Sequence, residues 1–432
     1  MGGATAIAVS GSNQGLTLSA GVLDLVQATG TDVSATILSG GTEMVASAGT
    51  LLAPVLLSGG TLLLAAGAME SGGTVMSGAT LIVSSGVVAS GVTVASGGSL
   101  VVLHGGSDFG VIDRGTVVVS SGAVESGDVL SSGGQVLVAS GGTALSVTVS
   151  ATGTETVQAG GTALGLNLSA GGSVYLSSGA LQSGSTVQGG ATYNIGSGAT
   201  ALNMLVTSSG RANILGFASG VIDSGIGAFV SFTNYPGDGV QVSSGGTVFN
   251  VTVGNGIAVD YLGVLSGGTV SGAVNTKSSF LDVGGTIWAV SNFGHFGAEG
   301  GTAIGVTFES GGTQTSDGTG LNPINYNNTV VSSAASVDFA QGHFVNTSAL
   351  AGSTARVGAG LTVSASAGTN FGLTIAGGTD LVLNGGVDIG TIVSAGGIYT
   401  VSSGGTGLAT ILSTGATATI SSGGLESGAT VV

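Results

Sequence analysis

Residues 58–76 read SGGTLLLAAGAMESGGTVM and residues 77–95 read SGATLIVSSGVVASGVTVA. A chain that writes one glycine-punctuated line again and again must stack copies of a short unit, because a single copy has nothing else to bury its apolar face against. Counted from the small residue that opens each SGGT-like turn, units begin at 39, 58, 77 and 96, each 19 residues after the last. The 96 unit is two residues short. The register resumes at 113, 132, 151, 170, 189 and 208 and returns at 376, 395 and 414.

Two columns of the unit are aliphatic throughout. The seventh position runs Val45, Leu64, Val83, Val102, Val119, Val138 and Val157 and continues to Ile420. The eighteenth runs Leu56, Val75, Val94, Val111, Leu130 and Val149 and continues to Val431. These columns mark a core. Between small-residue corners the apolar segments last only three to five residues. An isolated helix needs about 12 residues and loses about 1 kcal/mol at each glycine, so the segments suit strands. Glycine at the corners supplies the positive φ of a sharp bend. The expected fold is all-β, a single parallel β-helix (β-solenoid), right-handed and three-sided, with about 19 residues per coil. Stacked about 4.8 Å apart, about 23 coils make a rod of about 110 Å, with Val and Leu inward and Ser and Thr outward. Residues 1–216 form the regular solenoid, 217–350 irregular coils with loop insertions, and 351–432 regular coils again. The middle segment holds 14 of the 19 aromatic residues.

Composition narrows the function. Four basic residues, Arg114, Arg211, Lys277 and Arg356, stand against twenty acidic ones, giving a formal net charge of −16. Nucleic acid needs clustered Lys and Arg, so it is excluded as a partner, and an anionic membrane surface would be repelled. Apolar runs are broken well short of a membrane helix of about 18 residues, and the strands lack aromatic girdles, so no membrane insertion is expected. The chain has no cysteine, which excludes disulfides and thiolate metal sites and fits an exported protein. MGGATAIAVS lacks the basic start of a signal peptide. The C-terminal ESGATVV stops at the eighteenth position of a coil, leaving strand edges open to axial stacking.

The phrases VSSGAVESG (119–127), VLVASGGT (136–143) and TVSSGGTGLATIL (400–412) resemble the 19-residue repeats of AIDA-type autotransporter adhesins. The resemblance covers about two thirds of the chain and implies a secreted, right-handed β-helical passenger domain at the bacterial cell surface. It would mediate self-association, cell aggregation and biofilm formation. It also implies a heptosyltransferase as a partner, decorating serines before the middle glycine corner: Ser47, Ser85, Ser121, Ser140, Ser178, Ser197, Ser403 and Ser422. A turn serine that satisfies backbone groups is the plainer reading of each. Such autotransporters carry a signal peptide and a translocator barrel, which this sequence does not show.

Little else carries chemistry. His104, His295 and His343 have no ligand or triad spacing, and the basic residues are scattered, so no enzyme is expected. The thirteenth column holds Glu70, Asp108, Glu125, Asp388 and Glu426, expected to face outward. Asp108 and Glu125 fall in consecutive coils, where stacked carboxylates repel and Ca²⁺ would relieve them; the alternative is a solvated acidic stripe. HGGSDFG (104–110) and NGGVDIG (384–390) match the calcium-binding nonapeptide of RTX proteins only incompletely. Tyr235, Trp288, Phe293, His295 and Phe296 are candidates to recognise a glycan or a host-surface receptor, unless they fill a wider core. The leading reading is a non-catalytic adhesin or structural rod. A filament or surface-layer subunit joined end to end comes next, and a carbohydrate-active β-helix enzyme third.

Overall fold

The computed structural model describes residues 5–207, 210–224, 239–254, 261–276, 280–298, 301–309, 312–314, 325–332, 336–339, 343–349, 354–357, 362–366 and 368–432. Its secondary structure is all strand, with no helix among the described residues and so none long and apolar enough to cross a membrane. The chain divides into two compact units, Met1–Phe217 and Ala218–Val432.

One coil of the first unit shows the construction. Thr61–Leu64, Met69–Ser71 and Thr74–Val75 are its three strands. The first pairs in parallel with Thr80–Val83, Leu62 beside Leu81 and Leu64 beside Val83. The other two pair with Val88–Ser90 and Thr93–Val94. This is the parallel β-solenoid that the repeat predicts. Each of the three corners holds a glycine at positive φ, Gly59 at 78°, Gly67 at 79° and Gly72 at 62°. Corner amides bond from coil to coil as the strands do: Gly59 N–H donates to Gly78 O at 2.8 Å and Gly78 N–H to Gly97 O at 2.7 Å. Backbone groups that a bend would strand are thus satisfied by the next copy of the bend.

Burial follows strict alternation, and Val45, Leu56, Leu64, Val75, Val83 and Val94 are fully buried. Two details differ from the sequence reading. Val94 is paired with Asp113, so Asp113 and not Val111 occupies the eighteenth column of the short coil. The missing residues come from the corner that follows, where Arg114 and Gly115 replace an SGG turn and Gly115 N–H donates to Asp113 Oδ1 at 2.8 Å. The thirteenth column points inward. In three-residue strands such as Ser107–Phe109 and Val124–Ser126, the outer two residues face out and the middle one faces the core.

In the second unit coil lengths vary, and the sides change places. The three-residue strand His343–Val345 pairs with Thr362–Ala365, which pairs with the four-residue strand Thr379–Val382. The four-residue strand Thr354–Val357 pairs with Leu373–Ile375, which continues into Ile392–Val393. Each kind of side therefore steps round by one between these coils. Rings pack together in its core: Phe296 lies 5.9 Å from Phe308 and 5.7 Å from Tyr326, and Tyr326 stacks on Phe344 at 4.5 Å.

A serine before a glycine corner leans over the corner of the next coil. A Cβ on Gly141, at φ 75°, would stand 2.7 Å from Ser121 Oγ, whereas one on Gly86, at φ 74°, would meet nothing within 4 Å. Gly86→Ala should therefore cost about 1 kcal/mol for its left-handed backbone. Gly141→Ala should cost clearly more, and the excess should vanish in a Ser121→Ala background, as measured by urea unfolding of the four proteins.

Candidate functional site

The inward columns carry an unexpected cargo. Among the described residues twelve acids are buried: Asp24, Asp32, Glu43, Glu70, Asp108, Asp113, Glu125, Asp128, Glu155, Asp223, Asp380 and Asp388. The expected solvated stripe at Glu70, Asp108, Glu125 and Asp388 is thus overturned, because alternation along each short strand overrides the polarity of its middle residue. Glu426 of that column is only half-buried. Among the described residues the acidic character is largely an interior property.

Two triads bring their carboxylates together. In Asp24, Asp32 and Glu43, and again in Asp108, Glu125 and Asp128, one oxygen from each residue lies within 4.8 Å of the others. Asp108 and Glu125 are ladder neighbours, and Asp128 enters from the following side of the same coil. Val111 N–H donates to Asp128 Oδ1 at 2.9 Å. Glu125 and Glu155 have no hydrogen-bond partner on any carboxylate oxygen. Loss of water drives all these groups toward the neutral acid, and their mutual repulsion adds to it. Asp128 is pushed up to about 7 and Glu155 to about 8, and Asp108 and Glu125 rise well above the carboxylate range.

Glu70, Asp380 and Asp388 find donors for one oxygen each. Ser90 N–H donates to Glu70 Oε2 at 3.2 Å, yet burial still raises Glu70 to about 7. In the second unit Asn370 Nδ2 donates to Asp380 at 2.9 Å, Thr391 Oγ1 to Asp388 at 2.8 Å and Tyr399 OH to Glu426 at 3.0 Å. Gly407, between Asp388 and Glu426 on the ladder, leaves the space that the Tyr399 hydroxyl and Glu426 carboxyl fill.

The sequence-predicted surface residues divide. All eight candidate acceptors, Ser47, Ser85, Ser121, Ser140, Ser178, Ser197, Ser403 and Ser422, are exposed. Ser39, Ser58 and Ser77 at the opening corner lean over Gly59, Gly78 and Gly97 in the same way, a set the sequence reading missed because it followed one corner only. His104 takes the serine's place over Gly122, its Nδ1–H donating to Ser121 O at 2.9 Å, so it is a corner residue. Of the recognition candidates, Trp288 is 40% exposed, Phe293 and His295 are half-buried, and Tyr235 lies outside the described residues. Phe296 is 0% exposed and packs among other rings, which removes it from any recognition surface.

The outer face holds a feature that the repeat does not advertise. Leu25, Met44, Leu63, Ile82, Val101, Val118 and Leu137 stand in register on consecutive coils, each half-exposed. Beside them run Thr42, Thr61, Thr80, Ser99 and Thr116.

No family model matches this chain, and no curated protein matches it. Among solved structures it is similar to the TibC-catalysed, hyper-glycosylated TibA fragment, at 19% identity over 98% of this chain and 94% of that one, with a TM-score of 0.21. It is also similar to the Dettilon tailspike protein, at 9% identity over 92% and 62% of the two chains, with a TM-score of 0.18. A PL6 family alginate lyase is 10% identical over 95% and 97%, with a TM-score of 0.15. At these scores the likenesses carry no functional weight.

The sign of the pH dependence follows from Glu70. Its folded value of about 7 lies above its ordinary 4.5, so the folded state holds the proton more tightly. The stability it contributes is complete below about pH 4.5 and is lost as pH rises through about 7. In chelator-containing buffer the protein should be more stable at pH 4 than at pH 8. Glu70→Gln should remove about 3 kcal/mol of that difference, read from urea unfolding at stepped pH.

Proposed function

We propose that this chain is a non-catalytic adhesive and structural segment of a bacterial surface protein, which associates side by side with further copies of itself. The observation that carries this reading is the outward aliphatic ladder from Leu25 to Leu137 with its threonine neighbours. Seven rungs about 4.8 Å apart make an apolar strip about 30 Å long. A second copy of the chain is ruled at the same spacing, so contact at one rung places every other rung in contact. Each rung is weak, and the strength comes from repetition, as cell aggregation and biofilm formation require. The position of the acids also argues against a carbohydrate-active enzyme. Acid–base groups sealed between stacked coils do not reach a polysaccharide.

Exposed corner serines offer regularly spaced hydroxyls to a glycosyltransferase, a heptosyltransferase being the proposed partner, and sugars there would project from a corner beside the ladder faces. Trp288, 40% exposed, is the proposed contact for a glycan or host-surface receptor.

Sedimentation velocity over a concentration series tests the main proposal. The unmodified chain should form dimers and bundles. Leu63→Lys with Val101→Lys should weaken association about a hundredfold, at ~1.4 kcal/mol for each substitution, while far-ultraviolet circular dichroism stays unchanged. Association unaffected by both lysines would sink the proposal. Fibres that lengthen without thickening would make the chain a filament subunit instead.

A further inference from the structure

We propose that Asp108, Glu125 and Asp128 form a binding site for one hard divalent cation, calcium by its all-oxygen donors and ready loss of water, enclosed in the core of the first unit. The three residues come from two adjacent coils and meet from two sides of the solenoid. An oxygen from each lies within 4.8 Å of the others. Calcium binds oxygen at about 2.4 Å, so ligands on opposite sides of the ion stand about 4.8 Å apart. Magnesium gives up its water reluctantly, which disfavours it in a position enclosed by the core. The donor set is oxygen alone, with neither thiolate nor imidazole, which disfavours zinc and copper.

A second observation points to the same place. Glu155 enters from the strand Thr154–Val157, is 0% exposed, and has no partner on either oxygen. Its charge bears on Glu125 and on Asp128, so it faces the triad across the core. Ala144, the ladder neighbour above Glu125, brings neither charge nor side-chain donor to it. Four buried carboxyls thus bear on one another, and Arg114, the basic residue nearest in sequence, is exposed and supplies no countercharge there. In the second unit, by contrast, Asn370 and Thr391 supply a donor to one oxygen each of Asp380 and Asp388, whereas Asp108 and Glu125 receive none. Asp24, Asp32 and Glu43 bring together a similar set, with Asn13 Nδ2 donating to Asp32 at 3.5 Å, and what singles out the Asp108 triad is the fourth buried carboxyl, Glu155, whose charge bears on it.

An ion in this position is enclosed as the coil above closes over it. It is therefore loaded during folding and leaves only when coils part.

The test uses the full chain purified without chelator. Inductively coupled plasma mass spectrometry should find calcium retained through gel filtration. Protein unfolded in urea with EDTA should then be refolded with CaCl₂, with MgCl₂ or with neither. CaCl₂ should raise Tm by about 5–10 °C over the metal-free protein, and MgCl₂ should do little. Glu125→Gln with Asp128→Asn should carry one calcium fewer and lose the part of the response due to this site. If that variant does not fold, the metal content and refolding response of the unmodified chain still decide. Two outcomes overturn the proposal. In one, no calcium is retained, CaCl₂ leaves Tm unchanged, and Glu125→Gln is as stable as the parent at pH 8, which makes the cluster proton-held. In the other, the double variant keeps all its calcium, which places the ion elsewhere.

Discussion

In-register stacking of parallel strands is the constraint on which everything else in this protein rests. A residue's neighbours above and below are set by the repeat length, so each column becomes a file of chemically similar side chains about 4.8 Å apart. For Leu62, Leu81 and Leu100 this makes a dry, continuous core. For Asp108 and Glu125 the same rule sets carboxyl beside carboxyl with no means of moving apart. Aliphatic files stabilise the fold, and acidic files draw on that stability unless a proton, a donor or an ion neutralises them.

Corners obey the same rule. Their glycines provide the positive φ, but the close approach of the next coil matters as much: Ser121 Oγ already lies where a side chain on Gly141 would begin. The coil tolerates Ala48 at φ 63° where most units place glycine, so backbone strain alone does not fix the residue. At Gly141 the neighbour one coil below fixes it as well, whereas at Gly86 no such neighbour stands in the way.

The sequence disclosed the period, the strand type and the two aliphatic columns, because Val45 to Val157 and Leu56 to Val94 never admit a polar residue. It concealed the acids. A polar residue in the middle of a three-residue strand reads as surface, and only the parity of the strand shows that Glu125 faces inward. Asp113 was hidden by a shortened corner, which shifted the count by two and drew attention to Val111. Phe296 read as a recognition residue because aromatics in an irregular segment have no column to betray their direction. Its place among Phe308 and Tyr326 is set by coils from 15 to 23 residues apart in sequence, such as Leu281 with Phe296 and Thr302 with Asn325.

The change of sides in the second unit has a consequence for how such a chain can evolve. His343–Val345, Thr362–Ala365 and Thr379–Val382 share one ladder although they begin as different sides of their coils. The core accepts the exchange because every side contributes the same kind of inward aliphatic residue. Length can therefore be gained or lost by single sides and not only by whole coils. Each such event leaves the interior continuous while turning every later surface column to a new bearing. A lineage of these proteins can thus redirect its outer faces without redesigning its core.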